Sequence, residues 1–98
     1  MTFASEVYVY FPGGFGTLDE FFEIVTLIQT KKIEPIPVLL YGKEFWEPFL
    51  RTFKEDLLEK HGTISPEDMD IFHLVDSVDE AYKYINKEVK KIGNVRQV

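Results

Sequence analysis

The segment 12–20, which reads PGGFGTLDE, constrains the fold of this 98-residue chain more than any other stretch. It follows an apolar run at residues 7–11 and leads directly into a second apolar run at residues 21–28. This order is typical of a buried strand, a tight turn and a helix. We therefore predict a strand over residues 7–11 and a helix over residues 18–31, joined by a glycine loop.

The glycine loop has the features that bind an anion. Gly13, Gly14 and Gly16 allow unusual backbone angles, and they let a ligand approach the main chain because no Cβ stands in the way. The first N–H groups of the next helix have no partner within the helix, and the helix dipole adds positive charge there. In an open α/β sheet this loop lies at the carboxyl ends of the strands, where such sheets bind ligands.

A purely structural alternative exists for the same residues. Thr17 and Glu20 fit the S/T-x-x-E capping box, with Thr17 as the N-cap and Glu20 reaching back from the third helical position. In that alternative the glycines only form a tight turn, and Glu20 only closes the end of a helix. Spacing alone leaves both interpretations open.

The rest of the chain reads as two further βα units. Strands are predicted at residues 36–41 and 71–75, and helices at 44–60 and from Ser77 to about residue 92. A short helical turn begins at Ser65 and Pro66. Because the strands are nearly continuous apolar runs, we predict a parallel sheet buried on both faces. The expected fold is α/β, a three-layer Rossmann-like sheet in one domain over residues 1–98, with a flexible tail at 93–98.

Composition excludes several classes of function. The chain has no cysteine, so it forms neither disulfides nor thiolate sites. Its net charge of −6 argues against general affinity for nucleic acid. No apolar run approaches the ~20 residues of a membrane span, and no signal peptide precedes the first strand. Two isolated histidines do not make a metal site. We expect a cytoplasmic protein with no membrane, nucleic-acid or metal partner.

The string PGGxGTxxE after a hydrophobic strand resembles the signature of the LOG (LONELY GUY) family, whose members are often labelled "possible lysine decarboxylase". The likeness continues through residues 27–33, 35–40, 45–46 and 64–68, and it covers about residues 4–85. Characterised members are similar to phosphoribohydrolases, which cleave the N-glycosidic bond of a nucleoside 5′-monophosphate into a free base and ribose 5-phosphate. In plants and some microbes the base is a cytokinin.

The resemblance assigns roles to individual residues. Glu20 takes the part of the catalytic carboxylate, and the loop holds the 5′-phosphate of an AMP-like ligand. The residues of that phosphate site are Gly13, Gly14, Gly16 and Thr17. Asp19 matches a position where the family also has an acid, and it is given a supporting role with solvated charge at the helix N-terminus as the alternative. Glu23 is given a supporting role by its spacing, one turn beyond Glu20, with a surface or interface carboxylate as the alternative. No cofactor is implied. The decarboxylase label gains nothing from the sequence, because no lysine adjoins the glycine loop to form a Schiff base with pyridoxal phosphate.

The chain also departs from the family pattern. Family members carry a first half before the motif, with a GGGxxGxMG-like turn and an arginine that works with the motif glutamate. Residues 1–11 contain neither lysine nor arginine. The chain therefore resembles the C-terminal half of a family domain, with the N-terminal half absent. Whether it is an enzyme is left open, and the alternative is a nucleotide- or phosphate-binding module without turnover.

The helix after the loop is apolar around almost its whole circumference. The residues responsible are Phe21, Phe22, Ile24, Val25, Leu27 and Ile28. A surface helix would show one apolar stripe, so this helix is expected to be buried on two sides. The family resemblance implies a homodimer formed through helix 18–31. Burial by the chain's own loops is the alternative.

Overall fold

The computed structural model describes the backbone of residues 7–96 and the side chains of residues 7–88. In this part of the chain, one parallel sheet contains three strands in the order β1-β2-β3. The strands are β1 (Tyr8–Tyr10), β2 (Val38–Tyr41) and β3 (Phe72–Val75). The predicted α/β class and parallel sheet are confirmed, and each strand is shorter than predicted. Burial on both faces is confirmed for β2 but is wrong for β1, where Tyr8 and Val9 are exposed because β1 has a neighbouring strand on one side only within the described residues.

Helices follow each strand. They are α1 (Phe15–Gln29), α2 (Lys43–Thr52) and α3 (Val78–Arg96). A π-helix, Phe53–Lys60, continues α2 without a break, and a 3₁₀ helix, Pro66–Asp70, precedes β3. None of the helices in the described residues is long and apolar enough to cross a membrane.

The sheet carries helices on both faces. Tyr10, Leu40 and Leu74 stand in register on one face, which packs against α1 and α2. On the other face His73 of β3 stacks on Tyr84 of α3, with ring centroids 4.2 Å apart. The structure therefore has the three layers that were predicted.

Phe21 of α1 occupies the centre of the core. Its side chain is 1 % exposed, and Trp46 of α2 is fully buried beside it. Five rings lie with centroids 5.2–6.2 Å from that of Phe21, and they belong to Tyr10, Phe22, Trp46, Phe53 and Phe72. One side chain thus joins β1, α2, the π-helix and β3.

The second and third predicted helices differ from the observed ones in their extent. The single helix predicted over residues 44–60 is α-helical only through Thr52, because the wider π-helical turn begins at Phe53 and places that side chain in the core. Pro48 is the sixth residue of α2, beyond the first turn. Helix α3 continues to Arg96, so the tail predicted at 93–98 is helical as far as that residue. Residues 97–98 lie outside the described residues.

Both predicted polar helix starts near β3 are confirmed. The Ser65 N–H donates to the Asp68 carboxylate at 2.9 Å, and Pro66 occupies the first helical position. Asp68 also accepts a bond of 2.8 Å from the side-chain amide of Gln29, which ties the end of α1 to the 3₁₀ helix. At α3 the Glu80 N–H donates to the Ser77 hydroxyl at 3.1 Å.

Helix α1 ends in a Schellman motif whose left-handed residue is a lysine. Lys31 has a φ of 61°. Its N–H donates to the carbonyl of Ile28 at 3.0 Å, and the Lys32 N–H donates to that of Leu27 at 2.9 Å. Glycine usually occupies this position, because a Cβ in the left-handed region costs about 1–2 kcal/mol.

We predict that Lys31→Gly raises the free energy of unfolding by about 0.5–1 kcal/mol. The relief of left-handed strain exceeds the extra backbone entropy of glycine in the unfolded chain. Urea unfolding followed by circular dichroism measures the change. Lys32→Gly is the matched control, since it removes the neighbouring lysine without relieving a positive φ. A midpoint for Lys31→Gly at or below that of Lys32→Gly contradicts the prediction.

Candidate functional site

The carboxyl ends of the three strands are held together at one edge of the sheet. Gly42 ends β2 with a φ of 104°, and a Cβ at this position would lie 3.2 Å from Cγ of Pro12. The Gly42 N–H donates to the carbonyl of Val75 at 2.9 Å. The Lys43 N–H donates to the Asp76 carboxylate at 3.0 Å. These contacts place the glycine loop beside the ends of β2 and β3.

Helix α1 starts three residues earlier than predicted. Gly14 is the N-cap, Phe15 is the first helical residue, and the Leu18 N–H makes the first bond to the carbonyl of Gly14 at 3.2 Å. Thr17 is therefore inside the first turn, and the capping box of Thr17 and Glu20 is wrong. The reason is that Gly14, in an extended conformation, is itself an acceptable N-cap.

The observed helix start leaves an electropositive end. No side chain caps it, and its first turn contains no acidic residue. By helix geometry the N–H groups of Phe15, Gly16 and Thr17 lack partners within the helix. Together with the positive end of the helix dipole, they can hold an anion.

The three loop glycines have different reasons for lacking a side chain. A Cβ on Gly13 would collide with the Thr17 hydroxyl and would lie 3.1 Å from the Thr17 Cβ. Around Gly14 and Gly16 nothing lies within 4 Å of the position of an added Cβ. Gly13 is thus required by packing, whereas Gly14 and Gly16 face open space into which a ligand can come close to the backbone.

Glu20 lies one helical turn beyond the electropositive start of α1. It follows Gly16 by four residues and Thr17 by three, so these three residues share one side of the helix. The rise of 1.5 Å per residue places its Cα about 4.5 Å further along the axis than that of Thr17. The carboxylate is exposed. The structure therefore brings the predicted phosphate site and the predicted carboxylate together.

The two supporting acids lie further around the same helix. Glu23 follows Glu20 by three residues and continues its side of α1. Asp19 and Glu23 also border a shallow surface groove with Phe22 and Thr26. Of the two, Glu23 has the helical spacing that places it beside Glu20.

Tyr10, the last residue of β1, was missed by the sequence analysis. Its ring meets that of Phe21 edge-on at 6.0 Å, and its hydroxyl donates to the main-chain carbonyl of Glu20 at 3.4 Å, a long bond. Burial raises the pKa of Tyr10, and the nearby charges of Glu20, Tyr8 and Glu23 raise it further. A phenol with its ordinary pKa of about 10 is already a protonated donor at neutral pH, and the raised pKa of Tyr10 extends that form to higher pH. The alternation of Tyr8, Val9 and Tyr10 was the signal that both tyrosines share a face.

The fold places two other residues, Phe15 and Lys43, at the site. Phe15, between two glycines, is 92 % exposed at the first position of α1. Lys43 directly follows Gly42 and so lies at the same edge as the loop, although it is distant in sequence. Lys31 and Lys32 follow the opposite end of α1, about 22 Å from its start by the helical rise.

One concavity lies away from the loop. A cavity of about 300 Å³ at the amino ends of the strands is lined by Ile36, Pro37, Asp70 and Tyr84, among others. None of the predicted site residues borders it. The glycine loop, by contrast, stands on an open surface, since Gly13, Gly14 and Gly16 are all exposed.

Comparison with protein families identifies the relatives of this chain. The family described as "possible lysine decarboxylase" matches residues 1–85, which is most of the chain. The chain belongs to this family. The resemblance to the LOG proteins, which carry the same label, is thereby confirmed. A search of curated proteins found no match. The family match includes the glycine loop, Glu20, Gly42 and all three strands.

We predict that Gly13→Ala lowers the free energy of unfolding by about 1–3 kcal/mol, because the added methyl overlaps the Thr17 side chain. Gly16→Ala is the matched control. It adds the same methyl to open space within the first turn of α1, where alanine favours the helix by up to about 1 kcal/mol. Thermal unfolding of both variants measures the difference. Equal melting temperatures would show that Gly13 does not pack on Thr17.

Proposed function

We propose that this chain binds a nucleoside 5′-monophosphate and cleaves its N-glycosidic bond, releasing the free base and ribose 5-phosphate. The observation that carries the proposal is the start of α1. A glycine-capped helix end without an acid in its first turn lies one turn from an exposed carboxylate on the same side. The family membership supports the same assignment.

The phosphate is the first part of the proposed ligand. The N–H groups of Phe15, Gly16 and Thr17 and the Thr17 hydroxyl donate to its oxygens. Gly14 and Gly16 let it come close to the main chain. The net charge of −6 does not oppose this binding, because the helix end is locally positive.

Glu20 acts on the sugar. Four atoms, O5′, C5′, C4′ and O4′, separate the phosphorus from the anomeric carbon, so a carboxylate one helical turn beyond the phosphate faces the ribose. Cleavage proceeds through an oxocarbenium-like state. The Glu20 carboxylate stabilises this positive charge or orients the attacking water. The C1′–N bond breaks, a C1′–O bond to water forms, and the proton of water passes to the base. Glu23 and Asp19 support the charge of this site.

The position of Glu20 in the second turn also removes an electrostatic conflict. A carboxylate at the third helical position would repel a phosphate bound at the same helix end. The observed start at Phe15 moves Glu20 three positions further from that end. One helix can then hold an anion at its end and a carboxylate beyond it.

The second candidate is a module that binds nucleotides without turnover. The exposure of the glycine loop favours it, since Phe15 lies in solvent. Glycosidic chemistry gains from a site that excludes water. Base release by the purified chain separates the two candidates.

Lysine decarboxylation, which the family description names, does not fit the described residues. That chemistry needs pyridoxal phosphate on a Schiff-base lysine, and an activated lysine of this kind is desolvated. Every lysine whose side chain is described is exposed, including Lys43 at the edge of the loop.

We predict that the chain releases base from at least one nucleoside 5′-monophosphate and that Glu20→Gln lowers kcat by at least about 100-fold. The panel includes AMP and its N6-isopentenyl derivative, a cytokinin form. Mass spectrometry follows free base and ribose 5-phosphate, and calorimetry follows AMP binding. Affinity for AMP stays within a few-fold in Glu20→Gln, because the phosphate site is intact.

Glu44→Gln, an exposed acid of α2, is the control and leaves kcat unchanged. Binding of AMP without base release in the unmodified chain identifies the binding module instead. Absence of both binding and release overturns the two candidates together.

We also propose a homodimer formed through α1. The helix buries Phe21, Ile24 and Ile28 against the sheet, yet it leaves Phe15 and Phe22 exposed by 92 % and 44 %. Exposed aromatic surface of this kind is enriched at interfaces between chains.

Light scattering at micromolar concentration is expected to give twice the monomer mass. Phe22→Asp is expected to shift the mass to the monomer, because it places a charge in the apolar interface. Tyr82→Asp, at an exposed aromatic of α3, is the control that keeps the dimer. A monomeric mass for the unmodified chain excludes this interface.

A further inference from the structure

We propose that Tyr10 is a positioning residue for Glu20. Its hydroxyl ties the main chain of the second turn of α1 to the end of β1, and so fixes the place of the Glu20 carboxylate relative to the phosphate-binding end of the helix. The role in catalysis rests on the proposed function above. The tether itself rests only on the contacts of Tyr10.

The ring of Tyr10 is held from two sides. It meets Phe21 edge-on at 6.0 Å and lies parallel to the ring of Tyr8 at 6.4 Å. The backbone of Tyr10 is in register with Leu40, a fully buried residue of the central strand. These contacts hold the ring of Tyr10 in position, and its hydroxyl points toward α1.

The bond from Tyr10 adds a constraint that apolar packing does not supply. Phe21, Ile24 and Ile28 hold α1 against the sheet, but such contacts are non-directional. A hydrogen bond weakens steeply when its atoms slide out of line. Among residues 7–88, the bond from Tyr10 to the Glu20 carbonyl is the side-chain hydrogen bond that joins β1 to α1.

The hydrogen bond from Tyr10 is important because a glycine loop connects β1 to α1. Gly13 and Gly14 connect β1 to α1, and the first turn of the helix has no side-chain cap. Within the described residues, no side-chain hydrogen bond caps the start of α1, so the loop holds the helix by packing alone. A bond to the carbonyl of Glu20 acts at the residue whose position decides where the carboxylate meets the sugar.

The phenol of Tyr10 is a donor at neutral pH, as any tyrosine with its ordinary pKa of about 10 is. Burial raises the pKa of Tyr10, and the titratable groups Glu20 and Glu23 of α1 and Tyr8 of β1 raise it further. The donor form therefore persists further into the alkaline range. A phenylalanine at this position keeps the ring contacts and loses only the donor.

Hydrogen exchange of the chain without ligand tests the tether. In Tyr10→Phe, the backbone amides of the second and third turns of α1 are expected to exchange about 3- to 10-fold faster, as the loss of one hydrogen bond predicts. Tyr8→Phe is the matched control. It removes a hydroxyl from the parallel ring on the same strand and leaves exchange in α1 unchanged. Equal exchange in Tyr10→Phe and the unmodified chain overturns the proposal.

A pH titration gives a second measure that needs no ligand. Ring resonances of the five tyrosines report each phenol separately by NMR. Since the Glu20 charge raises the pKa of Tyr10, Glu20→Gln is expected to lower that pKa toward its ordinary value. Glu44→Gln leaves it unchanged. An unchanged pKa of Tyr10 in Glu20→Gln would show that the phenol does not lie beside Glu20.

Turnover tests the positioning role. Tyr10→Phe is expected to lower kcat about 3- to 10-fold without changing KM for AMP, since the phosphate site is untouched. In the Glu20→Gln background the same change has no further effect, because there is no carboxylate left to position. Additive losses overturn the positioning role. If the unmodified chain releases no base, the proposed enzymatic function fails, and the exchange and titration results still decide the tether.

Discussion

The packing of Phe21 is the interaction on which the rest of the structure depends. Its ring contacts rings from β1, α2, the π-helix and β3, and it has almost no exposed surface. Aromatic pairs of this kind add specific geometry to the hydrophobic gain of burial. Because Phe21 fixes the direction of α1, it also aims the first turn of that helix at the ends of the strands.

Contacts at the carboxyl ends of the strands hold the glycine loop that precedes this end of α1. Pro12 packs on Gly42, and the main chain after β2 is bonded to the end of β3. The loop is thereby fixed at its base, while Gly14 and Gly16 remain open toward solvent. A rigid base and an open backbone are what a phosphate-binding loop requires, since the anion meets preset N–H groups and no side chain.

The parts that could be predicted are those that depend on local pattern. The strands could be predicted from apolar runs, and two helix starts could be predicted from Ser65 and Ser77. Both kinds of element depend on residues that are close in sequence. The start of α1 could not be predicted, since Thr17 and Glu20 match a capping box while Gly14 competes as N-cap. No sequence signal marked the change to a π-helix at Phe53. The alternation along β1 indicated only that Tyr8 and Tyr10 share a face, and the contact of Tyr10 with α1 and the position of Lys43 depend on tertiary structure, which a linear pattern does not contain.

Strand β1, one of the two outer strands of the described sheet, has a consequence for pairing with further strands. Within residues 7–96, β1 lies at an edge, and residues 7–11 carry no charge. Natural sheets discourage strand addition with charged side chains, prolines or bulges along such an edge. Here the nearest proline comes only after the strand has ended. An uncharged edge of this composition offers its main-chain N–H and C=O groups to a further strand, whichever segment of protein supplies that strand.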